Sequence, residues 1–362
     1  MTVGKAVLIF PTGMPRALEF LGKCLREQRE VIGASSLPYD PSRQEYPAWL
    51  TLPYINHDTF DTELAHVLHT FNIGGIYTPH PVIWDHLNRT LQHIAPGVSL
   101  LNDSPANTEL DRYRAAQERA CELLAKSLPL AVAQDAKPDL TKLQVASLYL
   151  HVEAIPGMCD HEKVRALYEV ARYCPAGDVV EIGSWWGKSA FIFLRLAQCF
   201  DIGNLLCVDP WSDAHLLQND KNSLVDLASA KFSAEEALDV FQINLLPYSN
   251  NDVNYLRMPS TDGARFYQSQ REVETPAFGK TNYAGHIALL HIDGNHSYEN
   301  AQADMAAWSE LVVNDGWIVM DDYTWPFGDG PRRVGDEFLT THSAKVKTAF
   351  VMGGALFIQV NA

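Results

Sequence analysis

Short apolar runs alternate with amphipathic segments of helical period along the first hundred residues of this chain. The apolar runs predict strands at KAVLIF, EVIGAS, IGGIYTPH and VSLLND. The segments between them predict helices, for example at DTFDTELAHVLHTFN, where an aspartate is placed to cap the first turn. Strands that alternate with helices in this way indicate βαβ units and a parallel sheet with helices on both faces.

A second alternation of the same kind follows a mostly helical stretch, in which AVAQDAKPDLTK is the best linker candidate. Strands are predicted at DVVEIGS, NLLCVDPW, VNYLRMP, IALLHID and GWIVMDDY. The tail, VKTAFVMGGALFIQV, predicts two further strands around a Gly-Gly turn. We therefore predict an α/β protein with two doubly wound, Rossmann-like domains, residues 1–104 and 159–362, around a helical linker region, residues 105–158. The second domain has a seven-stranded sheet closed by an antiparallel hairpin.

The composition excludes several classes of protein. With 47% hydrophobic and 20% charged residues in 362, the chain can bury a sizeable core. Its net charge of −16 argues against nucleic-acid or anionic-membrane partners. The six cysteines show no CxxC spacing, which favours a reducing compartment. No run approaches the ~20 apolar residues of a membrane span, and the N-terminus has no signal-peptide pattern. We expect a cytoplasmic protein, and the sequence leaves homo-oligomerisation open.

The stretch EIGSWWGKS, at a predicted strand-to-helix turn, is a near match to two nucleotide-binding motifs and satisfies neither. A P-loop requires four residues between its glycines, whereas three separate Gly183 from Gly187. Two of the three are tryptophans, and their indoles replace the small residues that let a backbone wrap a phosphate. The dinucleotide fingerprint G-x-G-x-x-G is also absent.

An acid-x-Gly-x-x-x-Gly turn remains, followed by Asp209 at the end of the next predicted strand. Gly183 and Gly187 permit close backbone approach, and Asp209 is placed to accept hydrogen bonds from ribose hydroxyls. A ligand with a ribose and no phosphates fits this arrangement best. A tight turn without a ligand is the other interpretation.

The stretch VVEIGSWWGKSAFIFLRLA resembles motif I of class I S-adenosylmethionine (SAM)-dependent methyltransferases. It is most similar to small-molecule O-methyltransferases of the catechol type and to the macrolide-sugar O-methyltransferase and cephalosporin-hydroxylase-like group. The resemblance extends over residues 155–362. It implies that Ser189 binds the carboxylate of SAM and Asp209 its ribose, and the segment PSTD is similar to the adenine-contacting segment. The full set of implied cofactor residues is Glu181, Gly183, Ser184, Trp185, Gly187, Ser189, Asp209, Trp211, Ser260 and Thr261.

Three aspartates end two predicted strands, Asp293 in HIDGNHSYE and the pair Asp321 and Asp322 in VMDDY. Parallel strands end at one edge of a sheet, so these carboxylates should converge beside the glycine turn. They repel one another unless they are protonated or bound to a cation, and oxygen ligands suit Mg²⁺. The resemblance also implies a Mg²⁺ site at these three positions. The competing interpretation is that the aspartates only cap loops and helices.

His296 is the predicted catalytic base, acting with Asp293, because related sugar methyltransferases carry a histidine in the matching D-G-x-H. The acceptor would chelate Mg²⁺ through two oxygens, which lowers the pKa of the reacting hydroxyl and aligns it with the SAM methyl. The competing interpretation is a helix-start histidine bonded to a backbone carbonyl. Catechol-type enzymes use a lysine, and this stretch contains none.

The sequence thus predicts a Mg²⁺- and SAM-dependent O-methyltransferase that acts on a polyhydroxylated small molecule in natural-product biosynthesis. Alternatives are a metal-independent or N-methyltransferase, a SAM-binding scaffold without turnover, and an iron hydroxylase. The iron site would use His291, Asp293 and His342, although His291 lies within an apolar strand and is better explained by packing. The acceptor loops are expected at PWSDAHLLQNDKNSLVDL and YTWPFGDGPRR.

The N-terminal third resembles the leading domain of ATP-grasp ligases at KAVLIFPTGMPRALEFLGKCLREQ and LLNDSPANTELDRYRAAQERACELL. The ATP-binding core of those enzymes does not follow, so ligase activity is not implied. We expect a substrate-positioning or oligomerisation module, with a structural remnant as the alternative.

Overall fold

The computed structural model describes residues 5–215 and 231–361. The chain divides into two compact units, residues 1–115 and residues 116–362. In the described part of the chain, no helix is long and apolar enough to cross a membrane.

The first unit is built on a parallel sheet of five strands in the order β3-β2-β1-β4-β5. Helices cover both faces, because Leu64 and Leu87 pack on one side of the sheet and Leu21 packs on the other. The strands are β1 (Ala6–Ile9), β2 (Val31–Ser35), β3 (Trp49–Thr51), β4 (Ile73–Tyr77) and β5 (Ser99–Leu100). The helices are α1 (Pro15–Arg26), α2 (Phe60–Thr70) and α3 (Pro81–Ile94).

Three helices precede the second sheet: α4 (Pro105–Ala125), α5 (Lys142–Val152) and α6 (His161–Tyr173). α4 and α5 occupy the predicted linker region, and α5 begins with a capping box between Thr141 and Gln144. α6 begins where the Asp160 carboxylate accepts the backbone N–H of Lys163 at 2.7 Å. This cap fixes the first turn of α6.

The second unit contains the predicted seven-stranded sheet, in the order β13-β14-β12-β11-β6-β7-β8. The five strands from β12 to β8 pair in parallel, whereas β14 is antiparallel to both β12 and β13, so the predicted terminal hairpin is confirmed. The strands are β6 (Asp178–Ile182), β7 (Leu205–Val208), β8 (Val253–Leu256), β11 (Ile287–Ile292), β12 (Val312–Met320), β13 (Val346–Met352) and β14 (Ala355–Val360). The helices are α7 (Lys188–Phe200), α8 (Ala234–Leu245), α9 (Ser260–Ser269), α10 (Tyr298–Trp308) and α11 (Gly330–Thr341).

Strands β6 and β11 are buried along their whole length, as expected for central strands of a parallel sheet with helices on both faces. Their carboxyl ends, together with those of β7 and β12, form the edge at which the predicted site residues lie.

The sequence did not predict helix α9 or the antiparallel hairpin of β9 (Glu272–Thr275) and β10 (Gly279–Asn282). The buried amide of Asn254 in β8 holds this hairpin, since it donates to the carbonyls of Val273 at 3.0 Å and Gly279 at 2.8 Å. The hairpin depends on these contacts across 19 to 25 residues, which local periodicity does not reveal.

Candidate functional site

The glycine turn joins β6 to α7 and packs against the end of β11. Gly183 has a φ of 80° and Gly187 a φ of 84°, a region that glycine enters without steric cost. A Cβ atom on Gly183 would lie 2.0 Å from the carbonyl oxygen of Asp293, and one on Gly187 would lie 3.0 Å from the ring of Phe241. Glycine at position 183 therefore lets the turn contact the backbone that carries a predicted metal ligand.

Asp209, after β7, holds the turn from the neighbouring strand. Its carboxylate accepts the backbone N–H groups of Ser184 at 3.0 Å, Trp185 at 3.1 Å and Trp211 at 2.7 Å. Burial raises the pKa of Asp209 despite these three donors. A carboxylate offers about four acceptor positions, so about one remains for a ligand. Its predicted contact with ribose stays a prediction.

Aromatic side chains surround the turn. The rings of Trp185 and Trp186 lie 5.1 Å apart, and Phe232 packs edge-on against Trp186 at 4.9 Å. Trp211 is fully buried against Phe241, and its indole N–H donates to the carbonyl of Trp185 at 2.9 Å. The structure thus places Trp211 beneath the turn, where it supports the backbone.

The other predicted cofactor residues differ in exposure. Glu181 is fully buried within the sheet, and its Oε1 lies 3.2 Å from Nδ1 of His291. Ser189 is buried in the first turn of α7. Ser260 and Thr261 begin α9 and are half-buried, and the Ser260 hydroxyl accepts the indole N–H of Trp308 at 2.9 Å.

The three predicted metal ligands meet at the carboxyl edge of the sheet. Asp293 follows β11, and Asp321 and Asp322 follow β12. The described residues contain two groups whose ligand atoms all lie within 4.8 Å of one another: His291, Asp293 and Asp321, and Asp293, His296 and Asp322. Asp293 belongs to both. Burial, with the nearby charge of Asp321, raises the pKa of Asp293 well above its usual range.

Lys163, which sequence reasoning did not identify, reaches this cluster from α6. Its ammonium donates to Oδ2 of Asp321, and both side chains are buried. Burial alone would lower the pKa of Lys163, but the charges of Asp321 and Asp293 outweigh burial and raise it. Burial would raise the pKa of Asp321, but Lys163 and His291 hold it well below its usual range.

The helical period of α6 could have identified Lys163 from the sequence. Lys163, Leu167 and Val170 lie on one face of α6, and all three are buried. A lysine on an otherwise apolar stripe requires a buried partner.

His296, the predicted base, lies at the outer side of the cluster. Its Nε2 is 2.9 Å from Oδ2 of Asp322, and its ring is 5.0 Å from that of Trp325, which packs against Phe327. A Cβ atom on Gly330 would lie 2.2 Å from the carbonyl oxygen of His296, so the first turn of α11 packs closely against this loop. The segment YTWPFGDGPRR thus borders His296.

Among the described residues, the three side chains of the predicted iron site are not brought together. His342 caps the C-terminus of α11 and stacks on Phe338 at 4.5 Å, and neither ligand group found in the described residues includes it. His291 is fully buried and its ring lies 4.9 Å from that of Phe193 in α7, as expected for a packed strand histidine.

Residues 180–323 match a family model described as a methyltransferase domain. This segment is less than half of the chain, but every predicted cofactor, metal and catalytic residue lies within it. A search of curated proteins found no match.

Three solved structures show a partial likeness to this chain. The O-methyltransferase NovP is 14% identical, with a TM-score of 0.40 over 55% of this chain and 80% of NovP. CalS11, a TDP-rhamnose 3'-O-methyltransferase of calicheamicin biosynthesis, is 16% identical, and the match covers 72% of this chain and 96% of CalS11 with a TM-score of 0.36. PaMTH1 of Podospora anserina, a methyltransferase bound to SAH, is 12% identical, and the match covers 70% of this chain and 96% of PaMTH1 with a TM-score of 0.39.

The family match is the finding that bears on activity. The match of residues 180–323 to a methyltransferase domain confirms the predicted enzyme class, a SAM-dependent methyltransferase.

Proposed function

We propose that the protein transfers the methyl group of SAM to a hydroxyl of a polyhydroxylated small molecule, with Mg²⁺ assisting, in specialised metabolism. The observation that carries this proposal is the contact between the glycine turn and the carboxylate cluster. Gly183 packs directly on the backbone of Asp293, and Asp293 lies within 4.8 Å of both a second aspartate and His296. A methyl donor held by the turn and an acceptor held by the cluster would therefore be neighbours.

The proposed SAM site uses the backbone of the turn together with Ser189, Asp209, Ser260 and Thr261. Ser189 lies in the first turn of α7, where backbone N–H groups favour a carboxylate. Asp209 offers its remaining acceptor position to a ribose hydroxyl. Trp211 is buried beneath the turn, so we propose that it acts on the cofactor through the turn that it supports, whereas the Glu181 side chain is buried beside His291.

The donor set fits Mg²⁺, because Asp293, Asp321 and Asp322 supply oxygen ligands at one sheet edge. Burial raises the pKa of Asp293, and the negative charges of Asp321 and Asp322 raise it further, a repulsion that a bound cation relieves. When bound there, Mg²⁺ supplies Lewis acidity that lowers the pKa of a chelated hydroxyl.

The chain's own residues then position the acceptor and move its proton. His296 accepts the hydroxyl proton on a ring nitrogen, and Asp322 orients the imidazole from 2.9 Å. Trp325 borders the same histidine and packs against Phe327, and together they restrict water from the reacting hydroxyl.

Calorimetry with SAM, with and without Mg²⁺, tests the proposal, followed by detection of SAH with a panel of polyhydroxylated acceptors. We expect SAM to bind with a Kd of tens of micromolar or tighter, and Mg²⁺ to raise turnover. Lys188→Ala is the matched control. The Lys188 side chain is half-buried and donates to the Gly157 carbonyl at 3.0 Å, so its loss should leave SAM binding unchanged. No SAM binding at tens of micromolar would refute the proposal.

For residues 1–104 we propose a substrate-positioning or oligomerisation role. A truncated chain, residues 105–362, that keeps full turnover and the same number of subunits in light scattering would contradict both roles.

A further inference from the structure

Lys163 is a buried cation in direct contact with a predicted metal ligand. Only 2% of its surface is exposed, and its ammonium donates to Asp321. A buried ammonium is costly unless a carboxylate pairs with it. The pair is therefore a fixed part of the fold.

The position of Lys163 is determined by backbone packing as well as by the ion pair. The N-terminal turn of α6 lies so close to the Gly353–Gly354 turn of the terminal hairpin that a Cβ on Gly353 would be 2.4 Å from the backbone nitrogen of Lys163. Asp160 caps the same turn through the same N–H. Lys163 is thus held at the cluster independently of any bound ion.

The fold already satisfies both oxygens of Asp321. Oδ2 accepts from Lys163 and lies 3.5 Å from Nε2 of His291, while Oδ1 accepts the backbone N–H of Asp322 at 3.0 Å. Asp322 belongs to the other group, with His296, and Asp293 is shared by both groups. One carboxylate of the three is therefore largely neutralised by the chain itself.

We propose that Lys163 is an internal counter-cation of the carboxylate cluster, which neutralises Asp321 and weakens divalent-cation binding there. This inference rests on the metal site of the proposed function. Lys163 is then a positioning residue, because its ion pair keeps the shape of the cluster when no ion is bound. A divalent cation would be bound mainly by Asp293 and Asp322. A unit positive charge a few ångströms away repels a dication strongly even at an effective dielectric constant of about 20.

Lys163→Met tests the proposal, because methionine is close to the lysine stem in volume and carries no charge. Isothermal titration of the full-length variant with Mn²⁺ and with Mg²⁺, without SAM, should give an affinity more than tenfold tighter than that of the wild type. Two controls accompany it. Lys163→Arg keeps the charge and should stay within about threefold of the wild type, and Lys142→Met removes an exposed lysine at the start of α5 and should change nothing. Equal or weaker metal binding by a folded Lys163→Met protein would overturn the inference.

A second comparison decides the question if Lys163→Met does not fold. Asp321→Asn leaves Lys163 unpaired beside Asp293, and should weaken Mn²⁺ binding more than tenfold. The double variant Lys163→Met/Asp321→Asn removes both charges together, and should restore the affinity to within about threefold of the wild type. A double variant as weak as Asp321→Asn would overturn the inference.

The outcomes also separate this inference from the proposed function. Tight metal binding by Lys163→Met with none by the wild type would support the inference and overturn Mg²⁺ assistance. Identical binding by both would overturn the inference and leave Mg²⁺ assistance standing. No binding by either would overturn both, and SAM calorimetry would still test the methyl donor.

Discussion

The carboxylate of Asp209 accepts the backbone N–H of Ser184 at 3.0 Å and so ties the end of β7 to the turn that follows β6. Trp185 donates to the same oxygen from 3.1 Å. The acid predicted to bind a ribose therefore also shapes the backbone on which the rest of the cofactor would lie. Loss of this side chain should change both stability and ligand binding.

Asp209→Asn replaces one acceptor oxygen with an amide that cannot accept the turn's N–H groups. We expect a loss of about 1–3 kcal/mol in the free energy of unfolding and a SAM affinity weaker by more than tenfold. Urea denaturation and calorimetry measure the two effects. Asp239→Asn is the control, since Asp239 is exposed on α8 and should change neither quantity. An Asp209→Asn protein with wild-type stability would contradict the structural role.

Gly183→Ala should lower the free energy of unfolding much more than the same change at another glycine of positive φ. A Cβ at Gly183 meets the Asp293 carbonyl oxygen at 2.0 Å, and that backbone atom can shift only if the end of β11 moves. Gly279 has a φ of 67° and its nearest neighbour would be 3.8 Å from the new Cβ.

Chemical denaturation should therefore give a cost of about 1–2 kcal/mol for Gly279→Ala, from the left-handed conformation alone, and more than about 3 kcal/mol for Gly183→Ala. Similar costs at the two sites would show that the turn does not pack tightly on Asp293.

Asp304, on α10, predicts a specific pH dependence of stability. Burial raises its pKa to about 6, against an opposing hydrogen bond from Ser260. Because the folded pKa is higher than the unfolded value of about 4, the protonated acid is favoured by folding. This stabilisation is fully present below about pH 4, falls as the pH rises towards 6 and is absent above it.

Asp304→Asn mimics the protonated acid at every pH. The wild type should therefore lose about 2–3 kcal/mol relative to this variant between pH 4 and pH 7, at about 1.4 kcal/mol per unit of pKa shift. Urea unfolding at several pH values measures the difference, with the exposed Asp262→Asn as control. A stability difference between wild type and Asp304→Asn that does not vary with pH would contradict the buried acid.

The architecture of the second unit was predictable because its central strands are short, mostly apolar runs. The residues that end those runs, such as Asp209, Asp293 and Asp321, then had to lie at one edge of a parallel sheet. That rule places carboxyl ends together without knowledge of side-chain contacts.

The rule does not predict which side chains from other parts of the chain reach this edge of the sheet. Lys163 precedes Asp321 by 158 residues, and the hairpin of β9 and β10 depends on Asn254. Nor does it give the direction of a side chain. The side chain of Glu181 lies within the sheet beside His291, because residue alternation along β6 turns it towards the face that α7 covers, and its contact with the cofactor stays a prediction.

The sequence left both a methyltransferase and an iron hydroxylase open. The two functions assign different roles to His296 and His342, so variants of these residues distinguish them. If His296 accepts the acceptor's proton, His296→Gln should lower kcat by about 10²- to 10⁴-fold and leave the SAM affinity unchanged, since His296 lies on the loop after β11 and outside the glycine turn. His342→Ala is the matched control, because His342 stacks on Phe338 outside both ligand groups and should keep wild-type turnover. Steady-state kinetics from pH 6 to 9 with SAH detection measure both. A near-wild-type rate for His296→Gln across that range would show that another base, or none, is used.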